Sequence, residues 1–279
     1  RGVFKSSATT GRVREVDISA DYVQRLLTYV DVTKLRPYKV VVNAGNGCAG
    51  PVIDLLEPHL PFQFIKVHHE PDAAFPHGIP NPLLVENRPP TIDAVIQNRA
   101  DIGVAWDGDF DRCFFFDEKG NFIEGYYIVG FLAQALLAKR PGNPIIYDPR
   151  LIWNTIEVVK NHGGIPVQCK SGHAFIKEKM RKEEAIYGGE MSAHHYFKDF
   201  FYCDSGMIPW LLVLEIMSRE GKPFSTLVEE RIRKFPCSGE INNRVADADA
   251  AIEKVRRHFE PLQPLVDTTD GISFEFPDW

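Results

Sequence analysis

Apolar runs typical of strands alternate with helix-period segments through most of this chain, and this alternation limits the folds it can adopt. The stretch "YKVVVNAGNGCAGPVIDLL" predicts a strand, a glycine-rich turn and a helix, and "TIDAVIQNRADIGVAW" predicts a helix and a strand. The pattern repeats in "NPIIYDPRLIWNTIEVVKNHG" and in "AFIKEKMRKEEAIYGGEM". Strands that alternate with helices form α/β units. We therefore predict consecutive mixed α/β three-layer domains with largely parallel strands.

The sequence changes character along its length and predicts four segments. Residues 1–15 are a polar lead-in, and the two α/β units are expected at 16–118 and 119–236. From residue 237 onwards, "DADAAIEKVRRHF" and "GISFEF" predict the start of a small α+β domain at 237–279. The proline-rich connection "EPDAAFPHGIPNPLLVENRPP" is expected to lack regular structure, because proline cannot donate a backbone hydrogen bond.

The composition indicates a globular protein and argues against two classes of partner. Of the 279 residues, 44 % are hydrophobic and 25 % are charged, which predicts a substantial core. The net charge of −6 is not that of a nucleic-acid-binding protein, and the apolar stretches are too short to cross a bilayer. The five cysteines are scattered, as is typical of reduced thiols. We expect a cytoplasmic protein that binds neither nucleic acid nor membrane.

Three aspartates alternate in "GVAWDGDFDRCFFF", directly after a strand-like run. Two carboxylates ~5 Å apart at an effective dielectric of ~20 repel by roughly 3 kcal/mol, so Asp107, Asp109 and Asp111 favour a bound cation. Hard carboxylate oxygens suit Mg²⁺ or Ca²⁺. An EF-hand loop is excluded, because its obligatory glycine is replaced by Arg112 and strands rather than helices flank it. A solvated acidic turn is the plain alternative.

The segment "GNGCAG" matches the G-x-G-x-x-G pattern of dinucleotide-binding proteins, with Glu70 about 20 residues further on. Pro51 directly follows the third glycine, which predicts that the helix begins too late for the usual pyrophosphate geometry. A structural strand-to-helix turn is the favoured interpretation, and an NAD-binding oxidoreductase is the alternative.

The segment "GGEMSAHHYF" follows another predicted strand and carries Glu190, Ser192 and His194. If the segment is extended, these alternate residues point the same way and suit sugar hydroxyls, because together they donate and accept hydrogen bonds. The alternative is a loop that caps neighbouring backbone. Arg150 and His173 also follow predicted strands, and ligands of α/β sheets bind beyond the carboxyl ends of strands. We expect all of these residues to share one site.

Taken together, "PDAAFPHGIPNPL", "DGDFDR" and "GEMSAHH" resemble the α-D-phosphohexomutase superfamily, and most closely its bacterial phosphomannomutase/phosphoglucomutase group. The resemblance covers nearly the whole chain. It implies that 16–118 is the family's second domain, 119–236 its third and 237–279 the opening of its fourth. Residues 1–15 would be the linker from a first domain.

The resemblance implies a magnesium site. The family motif is usually D-G-D-G-D-R, and here Phe110 replaces its second glycine. By this resemblance Asp107, Asp109 and Asp111 bind Mg²⁺, and Arg112 is the catalytic residue that contacts the transferring phosphoryl group or the substrate.

The resemblance also implies a hexose phosphate substrate, derived from mannose or glucose. Glu190 and Ser192 would contact the ring hydroxyls, and His194 would complete their loop. His173 and Arg150 match basic positions that face the substrate.

The implied activity is the interconversion of hexose 1-phosphate and hexose 6-phosphate through a phosphoserine and a bisphosphorylated sugar. The printed chain has neither the family's serine loop (T-A-S-H-N-P type) nor its phosphate-binding loop (R-x-S-N-T-E-P type), so we expect it not to complete this cycle alone. A non-catalytic module that binds sugar phosphate and magnesium is the second alternative. The oligomeric state stays open.

Overall fold

We describe the protein from a computed structural model, which covers residues 9, 11–239 and 241–277. The lead-in expected at 1–15 lies mostly outside the described residues. The first α/β unit is built from eight helices and strands in chain order: α1 (Ser19–Leu27), β1 (Lys39–Asn43), α2 (Ala49–Leu56), β2 (Gln63–Val67), α3 (Pro89–Asn98), β3 (Ile102–Trp106), β4 (Cys113–Phe116) and β5 (Phe122–Ile123).

The second unit repeats the alternation of helix and strand, and a smaller group of elements follows it. The second unit contains α4 (Gly125–Lys139), β6 (Pro144–Tyr147), α5 (Ile152–Asn161), β7 (Ile165–Gln168), α6 (His173–Glu183), β8 (Tyr187–Gly189), β9 (His195–Phe197), β10 (Cys203–Asp204), α7 (Met207–Glu220) and α8 (Phe224–Lys234). The last group contains α9 (Ala248–Phe259), β11 (Leu265–Asp267) and β12 (Ser273–Glu275).

Each unit has a five-stranded sheet, with the orders β2-β1-β3-β4-β5 and β10-β9-β8-β6-β7. The predicted α/β class is confirmed, but the share of parallel strands is smaller than predicted. Within the described parts of these two sheets, four strand pairings are parallel and four are antiparallel. The antiparallel pairs are joined by short connections, which bring the chain straight back instead of crossing over through a helix.

Three boundaries differ from those predicted. The first sheet continues to Ile123, past the expected unit boundary at residue 118, because β5 pairs with β4. Helix α3 begins at Pro89 inside the proline-rich connection, since proline fits the first turn, where no N–H is needed. Helix α2 begins at Ala49, before Pro51, for the same reason.

Helix α7 is the core element that both units share. Eleven of its 14 residues are buried. The ring of Trp210 lies 6.4 Å from that of Trp106 in the first sheet and 6.2 Å from that of Phe62. A single hydrophobic cluster therefore includes residues of both sheets and fixes the ends of β3 and β8 relative to each other.

Among the described residues, none of the helices combines the length and the apolar character that a bilayer crossing requires.

Candidate active site

The aspartate-bearing loop, residues 107–112, joins β3 to the antiparallel strand β4. A hydrogen bond from Phe110 N to Asp107 O (3.2 Å) closes the turn. Phe110 has a φ of 51°, in the left-handed region that favours glycine. This geometry explains why the D-G-D-G-D-R motif usually has glycine at this position.

We call residues 107–112 the metal loop. The start of α7 holds this loop in place. Trp106 Nε1 donates a hydrogen bond to Gly206 O (2.8 Å), and Gly206 N donates one to Phe110 O (3.2 Å). A Cβ atom at Gly206 would lie 2.5 Å from Phe110 O and 2.9 Å from Arg112 O. The loop backbone can approach the helix this closely only because residue 206 is glycine.

The three carboxylates of the metal loop come together as predicted. Ligand oxygens of Asp107, Asp109 and Asp111 lie within 4.8 Å of one another. Burial raises the pKa of Asp107 to about 6, although the adjacent Arg112 charge opposes this. A set of three hard oxygen donors in which one carboxyl is buried fits Mg²⁺, whose charge would keep all three ionised.

Arg112 is fixed by the first of these aspartates. Its Nε donates to Asp107 Oδ2 (2.7 Å) and its backbone N donates to Asp107 Oδ1 (3.2 Å). The Arg112 side chain is 22 % exposed, so a ligand can reach the guanidinium while Asp107 keeps it in position. Such a guanidinium suits a phosphoryl group.

We call residues 190–194 the sugar loop. This loop is a tight hairpin turn between β8 and β9, so the prediction of an extended segment here is wrong. Glu190 N donates to His194 O (3.0 Å), and Ala193 has a φ of 71°. The turn nevertheless gathers the predicted side chains. Ser192 Oγ lies 3.0 Å from His194 Nδ1, which lies 3.3 Å from Glu190 Oε2.

Glu190 is 3 % exposed and anchored on both carboxylate oxygens. Gly172 N donates to Oε1 (2.7 Å) and Tyr196 Oη donates to Oε2 (2.6 Å). Burial alone would raise the pKa of Glu190, but the hydrogen bonds from His194, Tyr196 and Gly172 lower it below its usual value. Glu190 is therefore an ionised hydrogen-bond acceptor.

The metal loop and the sugar loop are in direct contact. His194 Nε2 lies 3.5 Å from Asp111 Oδ2, and the backbones of Arg112 and His194 form an antiparallel bridge. Burial opposes a charge on His194, but Asp111 and Glu190 raise its pKa to about 9. His194 is therefore a cation that links the two acidic loops.

Arg150 and His173 lie around the sugar loop. Arg150 Nη2 forms an ion pair with Asp148 Oδ2 (3.0 Å), which also accepts from Met191 N (2.7 Å). His173 is exposed at the start of α6, next to the Gly172 N–H that binds Glu190. The basic residues are thus connected to the sugar loop through Asp148 and through Gly172.

The comparisons with known proteins agree with this arrangement. Family models described as phosphoglucomutase/phosphomannomutase, alpha/beta/alpha domain II and domain III match residues 20–120 and 124–235. The chain belongs to the α-D-phosphohexomutase superfamily. The resemblance inferred from the sequence motifs is confirmed.

Relatives of this superfamily cover almost the whole chain. A protein of Xanthomonas campestris pv. campestris named "Phosphohexose mutases" is 64 % identical over 258 residues, which are 92 % of this chain and 58 % of that protein. A phosphomannomutase of Escherichia coli K12 is 58 % identical over 274 residues, 96 % of this chain and 60 % of that protein.

A solved structure of a phosphoglucomutase/phosphomannomutase family protein from Burkholderia thailandensis has the same fold. It superposes with a TM-score of 0.79 at 32 % identity, over 94 % of this chain and 56 % of that one. The chain thus spans about three fifths of the length of the relatives it matches.

Four consecutive amides of the glycine-rich turn, residues 45–48, are already used within the chain and are not available to a dinucleotide. A Cβ at Gly47 would collide with Gly108 of the metal loop, and one at Gly45 with Pro80. The turn is therefore packed against the metal loop. Its consecutive N–H groups donate within the chain, Gly45 to Asn43 Oδ1, Asn46 to His68 O, Gly47 to Ala44 O and Cys48 to Gly108 O.

Sequence reasoning missed three residues of this candidate site. Asp148 is fully buried, Tyr196 holds Glu190, and Gly206 holds the metal loop. A signal existed for Asp148, because an aspartate that ends the strand of "NPIIYDP" must find buried partners. Tyr196 and Gly206 gave no signal, since their partners are distant in sequence or across a turn.

Proposed function

We propose that the protein carrying this chain is a phosphomannomutase/phosphoglucomutase. It interconverts hexose 1-phosphate and hexose 6-phosphate through a phosphoserine and a bisphosphorylated sugar. The observation that carries the proposal is the contact between the metal loop and the sugar loop, with His194 3.5 Å from Asp111. The residues that would bind sugar hydroxyls and the residues that would neutralise phosphoryl charge then belong to one site.

Asp107, Asp109 and Asp111 are the residues that would hold Mg²⁺. When bound, the ion supplies positive charge against the phosphoryl oxygens in transfer. A solved fungal relative in fold, the Aspergillus fumigatus N-acetylphosphoglucosamine mutase, was obtained in complex with GlcNAc-6P and magnesium. At 15 % identity and a TM-score of 0.54 it supports the fold, and the donor set of this chain supports the metal.

Arg112 is proposed as the catalytic residue. Its ion pair with Asp107 leaves the guanidinium partly exposed beside the carboxylates. There it can donate hydrogen bonds to the transferring phosphoryl group, which spreads negative charge over its oxygens in the transition state. Asp107 acts as a positioning residue for this side chain in addition to being a metal ligand.

The sugar loop is proposed to hold the hexose ring in either of two orientations. Glu190 accepts hydrogen bonds from hydroxyls, Ser192 accepts and donates, and charged His194 donates. Arg150 supplies positive charge, and His173 a ring nitrogen for hydrogen bonding, to the phosphate that is not being transferred. The sequence "GEMS" in this loop favours mannose or glucose as the hexose. We place the reaction in the cytoplasm.

A coupled assay of the full-length protein tests this proposal. We expect turnover with mannose 1-phosphate or glucose 1-phosphate to exceed that with N-acetylglucosamine 1-phosphate. Glu190→Gln should lower kcat/KM by about tenfold or more, since it removes a charged acceptor worth about 1.5–3 kcal/mol. Glu178→Gln, on the exposed face of α6, is the matched control. Equal kcat/KM values for Glu190→Gln and the control would contradict the sugar-loop assignment.

A further inference from the structure

Three side chains that can bind a metal ion converge from three different parts of the fold. They are Asp111 of the metal loop, His194 of the sugar loop and Asp204 of β10, and their ligand atoms lie within 4.8 Å of one another. Asp111 Oδ2 and His194 Nε2 are 3.5 Å apart. Two ligand atoms bound to one tetrahedral ion at ~2.0–2.2 Å lie about 3.3–3.6 Å apart, so this spacing suits a shared ion. We call these three residues the Asp–His–Asp cluster.

An ion from solvent can reach the Asp–His–Asp cluster. The side chains of Asp111, His194 and Asp204 are 39 %, 24 % and 16 % exposed, respectively. The cluster shares Asp111 with the three aspartates proposed to hold Mg²⁺, but its other two members are different residues. An ion bound there would therefore lie beside the magnesium site, with the Asp111 carboxylate common to both.

The cations already present at the cluster do not exclude a metal ion. Lys177 Nζ of α6 lies 3.0 Å from Asp204 Oδ1, and a carboxylate has a second oxygen that can bind an ion. Before any metal binds, negative charge is in excess here. The metal loop, the sugar loop and the Lys177–Asp204 pair together carry five carboxylates and three cations: Asp107, Asp109, Asp111, Glu190 and Asp204, and Arg112, Lys177 and His194.

His194 is oriented in the way that is typical of a metal-binding histidine. Its Nε2 lies near Asp111, while its Nδ1 lies 3.3 Å from Glu190 Oε2. Glu190 is buried and fixed by two further hydrogen bonds. Histidines that bind metals usually donate their second ring N–H to such a carboxylate, which orients the ring and strengthens the other nitrogen as a ligand. The Glu190–His194 pair therefore prepares Nε2 for a metal ion.

We propose that Asp111, His194 and Asp204 form a second metal site, which binds Zn²⁺ and inhibits the mutase. One imidazole nitrogen and two carboxylate oxygens suit Zn²⁺, whereas Mg²⁺ prefers oxygen ligands. The ion takes the lone pair of His194 Nε2, and the proton on that nitrogen is released to solvent. Zinc thereby withdraws His194 from the sugar and Asp111 from Mg²⁺. The inhibition rests on the proposed function, but the binding of zinc does not.

Calorimetric titration of the full-length protein with Zn²⁺ tests the proposal. All proteins carry Asp109→Ala, which weakens the metal loop as an alternative zinc site. We expect saturable binding that Asp204→Asn weakens by about tenfold or more, because a neutral amide replaces a charged ligand. Asp199→Asn, at an exposed aspartate paired with Arg140, is the matched control and should leave the Kd for Zn²⁺ unchanged.

Lys177→Gln is an independent test, because its expected effect has the opposite sign. It removes a positive charge and releases Asp204 Oδ1, so the variant should bind Zn²⁺ about threefold or more tightly than its parent. This result remains informative if Asp204→Asn folds poorly. Absence of saturable binding, or equal Kd values for Asp204→Asn and Asp199→Asn, would overturn the proposal. A Lys177→Gln protein that binds Zn²⁺ no more tightly than its parent would also overturn it.

A mutase assay with Asp109 restored and Mg²⁺ in excess tests the inhibition. Zn²⁺ should inhibit turnover of hexose phosphate, and Asp204→Asn should raise the inhibitory zinc concentration by about tenfold. Inhibition that Asp204→Asn does not relieve would overturn the inhibitory role of the second site. A protein without turnover would contradict the proposed function and leave the calorimetric result unaffected, so the two failures are distinguishable.

Discussion

Glu190 is held by His194 of its own loop and also by Gly172 and Tyr196, which lie outside that loop. Burial, and then the charge of Glu190, raises the pKa of Tyr196, so its hydroxyl stays protonated and donates to Glu190 Oε2 at 2.6 Å. The fixed hydroxyl sets the direction in which the remaining lone pairs of Glu190 point. A substitution at Tyr196 should therefore weaken the binding of the sugar.

We predict that Tyr196→Phe raises the KM for hexose phosphate by about threefold to tenfold while kcat changes less. The reason is that one charge-assisted hydrogen bond is lost without a change of volume, and about 0.7–1.4 kcal/mol of its energy, equivalent to threefold to tenfold, acts on substrate binding. Steady-state kinetics measure the split between KM and kcat. Tyr202→Phe, whose ring stacks on Arg181, is the control. A loss of stability with an unchanged KM would assign Tyr196 a structural role only.

His195, the neighbour of His194, should make the fold sensitive to acid. Burial, and then the charge of His194, lowers the pKa of His195 to about 3, well below its value of ~6.5 in the unfolded chain. Between these two values the unfolded state binds the proton and the folded state does not. Stability is therefore fully present above pH ~6.5 and is lost as the pH falls, by about 1.4 kcal/mol per pH unit.

We predict that His195→Gln has a shallower loss of unfolding free energy between pH 6.5 and 5 than the wild type, by about 1–2 kcal/mol over that interval. Glutamine has a similar volume and can still accept the hydrogen bond that joins Tyr187 Oη to the ring (2.7 Å). Urea unfolding at several pH values measures this difference. Parallel curves for the two proteins would show that His195 does not cause the acid sensitivity.

Single residues differed in how well the sequence predicted them. The close approach of Asp107, Asp109 and Asp111 was predictable, because they alternate within one short loop, and their metal-binding role stays a prediction. Asp148 was not predicted, although it supports both Arg150 and the sugar loop. Its place at the end of a strand indicated burial, but a single aspartate has no repulsive partner, so only the folded chain shows what it contacts.

At the scale of elements, the beginning of α7 decides where the metal loop lies. We predict that Gly206→Ala weakens Mg²⁺ binding by about tenfold and lowers the unfolding free energy by about 1–3 kcal/mol. The new Cβ would lie 2.5 Å from Phe110 O and would force the loop away from the helix. The φ of Gly206 is −81°, which alanine tolerates, so the effect is steric.

Titration calorimetry with Mg²⁺, together with thermal unfolding, measures both effects of Gly206→Ala. Gly11→Ala is the matched control, because a Cβ there meets nothing within 4 Å. If the two alanine variants bind Mg²⁺ equally well, the contact with α7 does not position the metal loop.

The types of most elements were predictable, but the direction in which strands pair was not. Apolar runs such as "CFFF" identify β4 as a strand, yet its antiparallel pairing depends on the short metal loop, which brings the chain straight back. The same holds for the sugar loop. An alternation of polar side chains suggested an extended segment, whereas Ala193 adopts a left-handed conformation that local sequence does not specify.

At the scale of the whole molecule, the two α/β units form one site because they share one core. Trp106 and Trp210 pack edge to face at 6.4 Å, and residues of α7 and of both sheets belong to one hydrophobic cluster. Sequence reasoning placed the candidate residues at the carboxyl ends of strands in each unit. From that shared position it predicted a single site, but it could not predict the direct contact between the two loops, since that contact depends on long-range packing of α7.

The central claim is that the metal loop supports phosphoryl transfer to and from a hexose phosphate bound at the sugar loop. The Mg²⁺ dependence of hexose phosphate interconversion by the full-length protein, in wild type and in Asp109→Ala, tests it most directly. Asp109 is exposed, so its loss should leave the fold intact. Asp93→Ala, on the exposed face of α3, is the control.

We predict that the wild type and Asp93→Ala show saturable activation by Mg²⁺. The Asp109→Ala protein should keep its melting temperature and lose at least about 100-fold in kcat/KM, a barrier increase of roughly 2.7 kcal/mol. Full turnover by Asp109→Ala, or turnover by the wild type that persists in a chelator, would contradict the claim.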